Sequence, residues 1–141
     1  MSTLKVTNIK HETSTLDTLQ FDNGGGSGNG RVTTKGTIGA IVAVSFASTI
    51  TIDFRTGNNF SVTLSGNTTI GNPSNISAGQ SGVLFISQDS SGSRTAAFGS
   101  YWDFSDGTAP TLSTGVNAVD VIAWIARTNT NIAAQFIGNF S

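Results

Sequence analysis

The sequence predicts an all-β chain: an antiparallel β-sandwich, jelly-roll-like head preceded by an extended N-terminal arm. Three observations carry this. Short apolar–polar alternations recur along the chain, as in Ile50, Ile52 and Phe54 or Phe60, Val62 and Leu64, which is the period of a half-buried strand. Gly, Asn, Ser and Asp clusters separate these runs, supplying turn chemistry at short intervals. No stretch keeps a 3.6-residue apolar period over a helix's length.

Residues 1–23 carry Leu4, Val6, Ile9, Leu16, Leu19 and Phe21 among polar neighbours. Six scattered side chains cannot close a core of their own, so the segment reads as an attachment arm that buries them on a partner. Residues 24–30, Gly-Gly-Gly-Ser-Gly-Asn-Gly, then form a linker. A phosphate-cradling loop would lead into a helix and carry Lys followed by Ser or Thr, whereas Arg31-Val32-Thr33-Thr34 is strand-like.

The head, 31–141, is expected to run strand after strand. Ile38 to Phe46, with Gly39, Ala40 and Ala43 between apolar residues, reads as a buried strand. Ile50–Phe54 and Phe60–Leu64 flank Arg55-Thr56-Gly57-Asn58-Asn59 and read as a hairpin. Thr68-Thr69-Ile70 is a short strand between two turn clusters. Val83–Ser87 and Arg94–Phe98, around Asp89-Ser90-Ser91-Gly92-Ser93, read as a second antiparallel hairpin. Beyond the loop Asp106–Gly115, Val119–Arg127 puts Val119, Val121, Ala123 and Ile125 on one face and Asp120, Ile122, Trp124 and Ala126 on the other. A strand apolar on both faces needs cover on both, which makes Val121, Ile122, Trp124 and Ile125 candidates for a subunit interface. A last strand alternates through Ile132, Ala134, Phe136, Gly138 and Phe140.

Composition narrows the function classes. Charged residues are 11% of the chain, against about 25% in an average soluble domain, and Thr, Ser, Asn and Gly make up nearly half of it. The solvated faces are therefore expected to be neutral hydroxyls and amides. Seven scattered Lys and Arg with a net charge of −1 build no phosphate-binding face, so direct nucleic-acid binding is not expected. No apolar run reaches the about 18 residues of a spanning helix, and Met1-Ser2-Thr3-Leu4-Lys5 does not open an export signal. There are no cysteines, so neither disulfides nor thiolate chemistry contribute.

Candidate chemistry is sparse. His11 is the single histidine and lies in the arm, so a zinc site or a Ser/His/Asp triad would have to form across the linker. Asp103 and Asp106 have the residue types of a glycosidase pair, yet they sit among turn residues. Asp53 and Asp89 lack the Asp-x-Asp-x-Asp spacing of a calcium loop. No enzymatic activity, cofactor or metal is expected. In the aromatic cluster Tyr101, Trp102 and Phe104, alternation sends Trp102 and Phe104 inward and leaves Tyr101 as a possible surface-binding aromatic.

Two stretches carry a resemblance. Ser2-Thr3-Leu4-Lys5-Val6-Thr7-Asn8-Ile9-Lys10-His11 is similar to the opening of short tail-fibre-like proteins of tailed bacteriophages, especially phages of cyanobacteria and other marine bacteria. The block Ala78–Gly82, Gln88–Thr95, Gly99–Phe104, Gly107–Ser113 and Asn117–Val121 resembles a C-terminal β-module of phage fibres. With Thr49–Asn72 the resemblance covers most of the chain, although the long shaft repeats of many fibres are missing. It implies a homotrimeric, non-enzymatic virion protein, made in the host cytoplasm and displayed at the virion surface. Its arm would dock on other virion proteins, and its head would contact a host glycan or protein. A capsid decoration protein is the alternative. No catalytic residue carries over.

Overall fold

The computed structural model describes residues 38–140, within a compact unit Ile38–Ser141. The arm 1–23 with Leu4, Val6, Ile9, Leu16, Leu19 and Phe21, the linker 24–30 and the start of the head at Arg31 lie outside the described residues.

The described chain is β-rich, with nine strands in two sheets and two single 3-10 turns. Its strands are β1 (Ile41–Ala43), β2 (Thr49–Ile50), β3 (Asn59–Leu64), β4 (Thr68–Ile70), β5 (Ser81–Gln88), β6 (Ala96–Phe98), β7 (Trp102–Phe104), β8 (Val119–Thr128) and β9 (Asn131–Ile137). The large sheet runs β1-β3-β5-β8-β9-β7 and the small one β2-β4-β6. Odd and even strands alternate between sheets from β1 to β6. Every pairing among them is parallel, each strand lying on the one from the preceding turn of chain: Val42 on Phe60, Phe60 on Leu84, Ile50 on Ile70, Ile70 on Phe98. This is a short three-coil β-solenoid. Parallel neighbours need a crossover between them, and here the crossover is a strand of the opposite sheet. The far side is antiparallel: β8 pairs with β5 and with β9, and β7 adds to β9 in parallel.

The expected all-β character holds while a jelly roll is not confirmed: among β1–β6 the expected antiparallel pairing is corrected to parallel, and both hairpins are corrected with it. Ile50 belongs to the small sheet and Phe60–Leu64 to the large one; likewise Ser81–Gln88 and Ala96–Phe98 separate. Turn residues do reverse the chain at both places, but they turn corners between sheets instead of closing strand pairs. Ile38–Phe46 is also corrected. It holds only the three-residue edge strand β1, with Ile38 fully exposed and Ile41 57% exposed.

The alternation itself locates the core. Ile50, Ile52, Phe54, Phe60, Val62, Leu64, Leu84, Ile86, Ile122 and Ile132 are all buried in one cluster between the sheets. At its centre Phe54 stacks on Trp124 with ring centroids 4.3 Å apart and on Phe60 at 5.4 Å, with Trp102 edge-on at 6.2 Å. Ile122 and Trp124 thus lie in the chain's own core, at 0% and 4% exposure, which corrects their placing at a subunit interface.

Amides pin the corners. Gln80 Nε2 donates to Phe54 O (2.7 Å) and Asn58 Oδ1 (2.9 Å), and Asn75 Nδ2 donates to Asp53 Oδ1 (2.8 Å). Asn67 Oδ1 accepts from Thr95 N, and Asn72 Oδ1 from Tyr101 N. Gln88, 3% exposed, accepts from Arg94 N at 2.8 Å and donates to Arg94 O at 2.9 Å, doing for that backbone what a neighbouring strand would do. Buried Asp120 accepts from Ser113 N and Asn139 N, fixing the long loop and the C-terminal stretch.

Candidate functional site

A depression of about 740 Å³ lies on the outer face of the large sheet where β7, β9 and β8 run side by side. That volume falls within the usual range of ligand pockets. Because side chains alternate across a strand, residues whose neighbours fill the core point outward here: Asp103 from β7, Ala133 and Gln135 from β9, Ala123, Ile125 and Arg127 from β8. The register places Asp103 beside Ala133, Ala133 beside Ile125, and Ala123 beside Gln135. The two alanines make the depression, since their methyls leave room that the larger neighbours enclose.

Its polar groups are tied loosely. Arg127 Nη1 lies 3.6 Å from Asp103 Oδ2, with both side chains more than half exposed. Asn131 Nδ2 donates to the same carboxylate oxygen, while Asn131 Oδ1 is buried with no donor in reach among the described residues. Ser105 Oγ bonds Gln135 Oε1 at 3.2 Å, and Gln135 Nε2 donates to Phe136 O at 3.1 Å. Opposite charges cancel within the cleft, so it offers hydrogen bonds without net charge.

The structure sorts the sequence candidates. Asp103 lines the cleft, whereas Asp106 does not; it sits in the 3-10 turn Ser105–Gly107 with φ of 59°. Asp53 and Asp89 belong to separate networks. Asp53 is held below the usual carboxylate range by the Asn75 amide, then by the Arg55 backbone N–H. Asp89 is held low by the Arg94 guanidinium, 2.9 Å away, and by Ser91 and Gly92 N–H groups. Among the described residues no three of His, Cys, Asp and Glu gather as metal ligands, and no helix is long and apolar enough to cross a membrane. His11 lies outside the described residues.

Tyr101 is half-buried against the core, and Trp102 is in it, its Nε1 donating to Gly71 O at 3.0 Å. Of the four interface candidates, Val121 and Ile125 face outward; Ile125 is 48% exposed and borders the cleft. Val121 lies in a row with Phe85 and Ile137 across three strands. Gln135, Arg127 and Ser105 escaped the sequence reading. For Gln135 and Arg127 the only signal is polarity at outward positions of otherwise apolar strands; Ser105, in the 3-10 turn after β7, carries none.

Compared with protein-family models, with curated proteins and with solved structures, the chain finds no match.

Proposed function

We propose that the chain is a non-enzymatic structural protein of a tailed-bacteriophage virion, of tail-fibre or adhesion type. Residues 1–23 anchor it to the particle, and the β head stands at the virion surface, where its cleft meets a ligand on the host. The resemblance of Ser2–His11 and of the blocks between Ala78 and Val121 suggests the family. The observation that carries an adhesive role is the cleft between Asp103, Arg127 and Gln135, built on three paired strands and not on a mobile loop. Rigid placement of a few polar groups is what recognition requires.

Self-association as a homotrimer uses the neutral row Phe85, Val121 and Ile137 beside the cleft, because a charge-free face can meet its copies without burying an unpaired ion. Light scattering on the purified chain tests this; a stable monomer at micromolar concentration refutes it.

The decisive experiment is immunogold labelling of particles from a phage that encodes the chain, alongside mass spectrometry of the purified particles. Label on the tail supports the proposal. Label on the capsid moves the assignment to a decoration protein, and absence of the chain from the particles overturns both. Deleting residues 1–23 is expected to abolish incorporation while leaving the head's melting transition nearly unchanged.

A further inference from the structure

We propose that the cleft over β7, β9 and β8 binds a neutral saccharide, one pyranose ring lying on Ala123, Ala133 and Ile125. Adjacent hydroxyls donate to Asp103 and accept from Arg127 and Gln135. This rests on the adhesive role given above and names the ligand class of the same site.

The argument starts from what the cleft can still bond. A carboxylate has about four acceptor positions and a guanidinium five N–H donors. Asp103 uses one oxygen, Oδ2, for both Asn131 and Arg127, and Arg127 spends one nitrogen on it at a loose 3.6 Å. Gln135 Nε2 has a second N–H beyond the one given to Phe136 O. An acceptor, a fork of donors and an amide therefore surround one small floor. Vicinal hydroxyls, each both donor and acceptor, match that mixture.

The floor supports the same ligand. Ala123, Ala133 and Ile125 offer only carbon, and Asp103, Ala133 and Ile125 lie on three adjacent strands, a width of about 10 Å at ordinary strand spacing. A pyranose has an apolar face of C–H groups and fits that span.

Other ligand classes fit less well. A charged ligand would meet an Asp–Arg pair whose opposite charges already cancel, so the cleft offers it no net electrostatic attraction. An extended peptide gains affinity by adding to a free sheet edge. Here β8 and β9 are each paired on both sides, and the free edge, on β7, is only three residues long and lies at the margin of the cleft, not on its floor.

The test is a ¹⁵N NMR titration of the full chain with D-glucose, D-galactose, D-mannose and N-acetyl-D-glucosamine, each alone. The expected result is a saturable shift, with at least one sugar, of amides at 103–107, 123–127 and 133–135. An open cleft with few contacts sets affinities on the order of millimolar. Ala133→Leu fills the floor and is expected to weaken binding roughly tenfold or more. Gln135→Ala, an exposed change that leaves the core untouched, is expected to weaken it several-fold. No saturable shift with any of the four sugars overturns the proposal. So does binding unchanged in both variants, or a stronger shift of the same amides by N-acetylneuraminic acid or by acetyl-tetraalanine amide. Incorporation into particles is read separately: a virion-borne chain that binds no sugar defeats the saccharide assignment alone, and a sugar-binding chain absent from particles defeats the virion assignment alone.

Discussion

Replacing Gln88 tests whether side-chain amides hold the coils together. Gln88 ends β5, stacks on Leu64 of the preceding coil, and closes two hydrogen bonds on the backbone of Arg94 at the corner that leads to β6. Gln88→Ala removes both. Two net hydrogen bonds are worth about 1–3 kcal/mol, and leaving Arg94 N–H and C=O part-buried without partners pushes the loss toward the upper end, about 2–3 kcal/mol. For a domain of this size that is a fall in melting temperature on the order of 10–20 °C. Gln88→Glu sharpens the test. Its carboxylate still accepts from Arg94 N but faces Arg94 O without a proton to donate. This variant is expected to be less stable than the wild type at pH 7 and to recover as pH falls through its folded pKa, which burial raises above the ordinary value of about 4.3; recovery is complete once pH reaches that ordinary value. Urea denaturation of all three proteins across pH measures both effects. If Gln88→Ala stays within about 0.5 kcal/mol of the wild type, or Gln88→Glu shows no recovery in acid, the amide is not what pins the corner.

Three further outcomes are expected. A Cβ at Gly82 would lie 1.7 Å from the Asn58 carbonyl oxygen, so Gly82→Ala forces the β3 and β5 coils apart and costs about 1–3 kcal/mol or more; Gly79→Ala, with φ of 86° but open space around it, costs only the left-handed backbone, about 1–2 kcal/mol, and equal losses in urea melts would refute this contrast. Phe54→Ala empties the centre of the aromatic stack and is expected to cost about 3–5 kcal/mol; a loss below 1.5 kcal/mol, on the order of a simple volume-conserving swap, would show the stack to be dispensable. Asp53 and Asp89 both titrate below their ordinary range in the folded chain, so their stabilisation is present above about pH 4 and is lost as pH falls through the folded values. Asp89→Asn is expected to flatten part of that acid limb, and an unchanged limb in acid melts would count against the Arg94 contact.

The sequence reading recovered which residues are inside better than which strands are neighbours. Ile50, Ile52 and Phe54, then Phe60, Val62 and Leu64, alternate visibly and are buried as the period requires. Pairing was not legible because a hairpin turn and a solenoid corner use the same residues: Arg55–Asn59 and Asp89–Ser93 reverse direction in either case. What differs is the destination of the next strand, fixed by a partner one coil away. Parallel coils show in sequence only as a repeat, and here corners of unequal length blur it. The length of the apolar run Ile38–Phe46 misled in another way, because Gly39, Ala40, Ala43 and Ser45 bring little surface to bury and the run ends at an edge. Of the cleft's polar residues only Asp103 stands out in the sequence, and there beside Asp106, which does not line the cleft. Arg127 and Gln135 meet it through registers that no local pattern announces.

The order of the strands also governs when the head can form during synthesis. Among β1–β6 no two consecutive strands pair, and β5 must wait for β8, so the one pair close in sequence is β8 with β9. Among the described strands that pair is the last to emerge from the ribosome. The earlier strands therefore emerge with apolar faces and open edges before the strands that join them to a finished sheet exist, a state prone to mispairing with a neighbouring nascent chain. Phe85 waits longest, since its partner Val121 lies on a strand made well after its own.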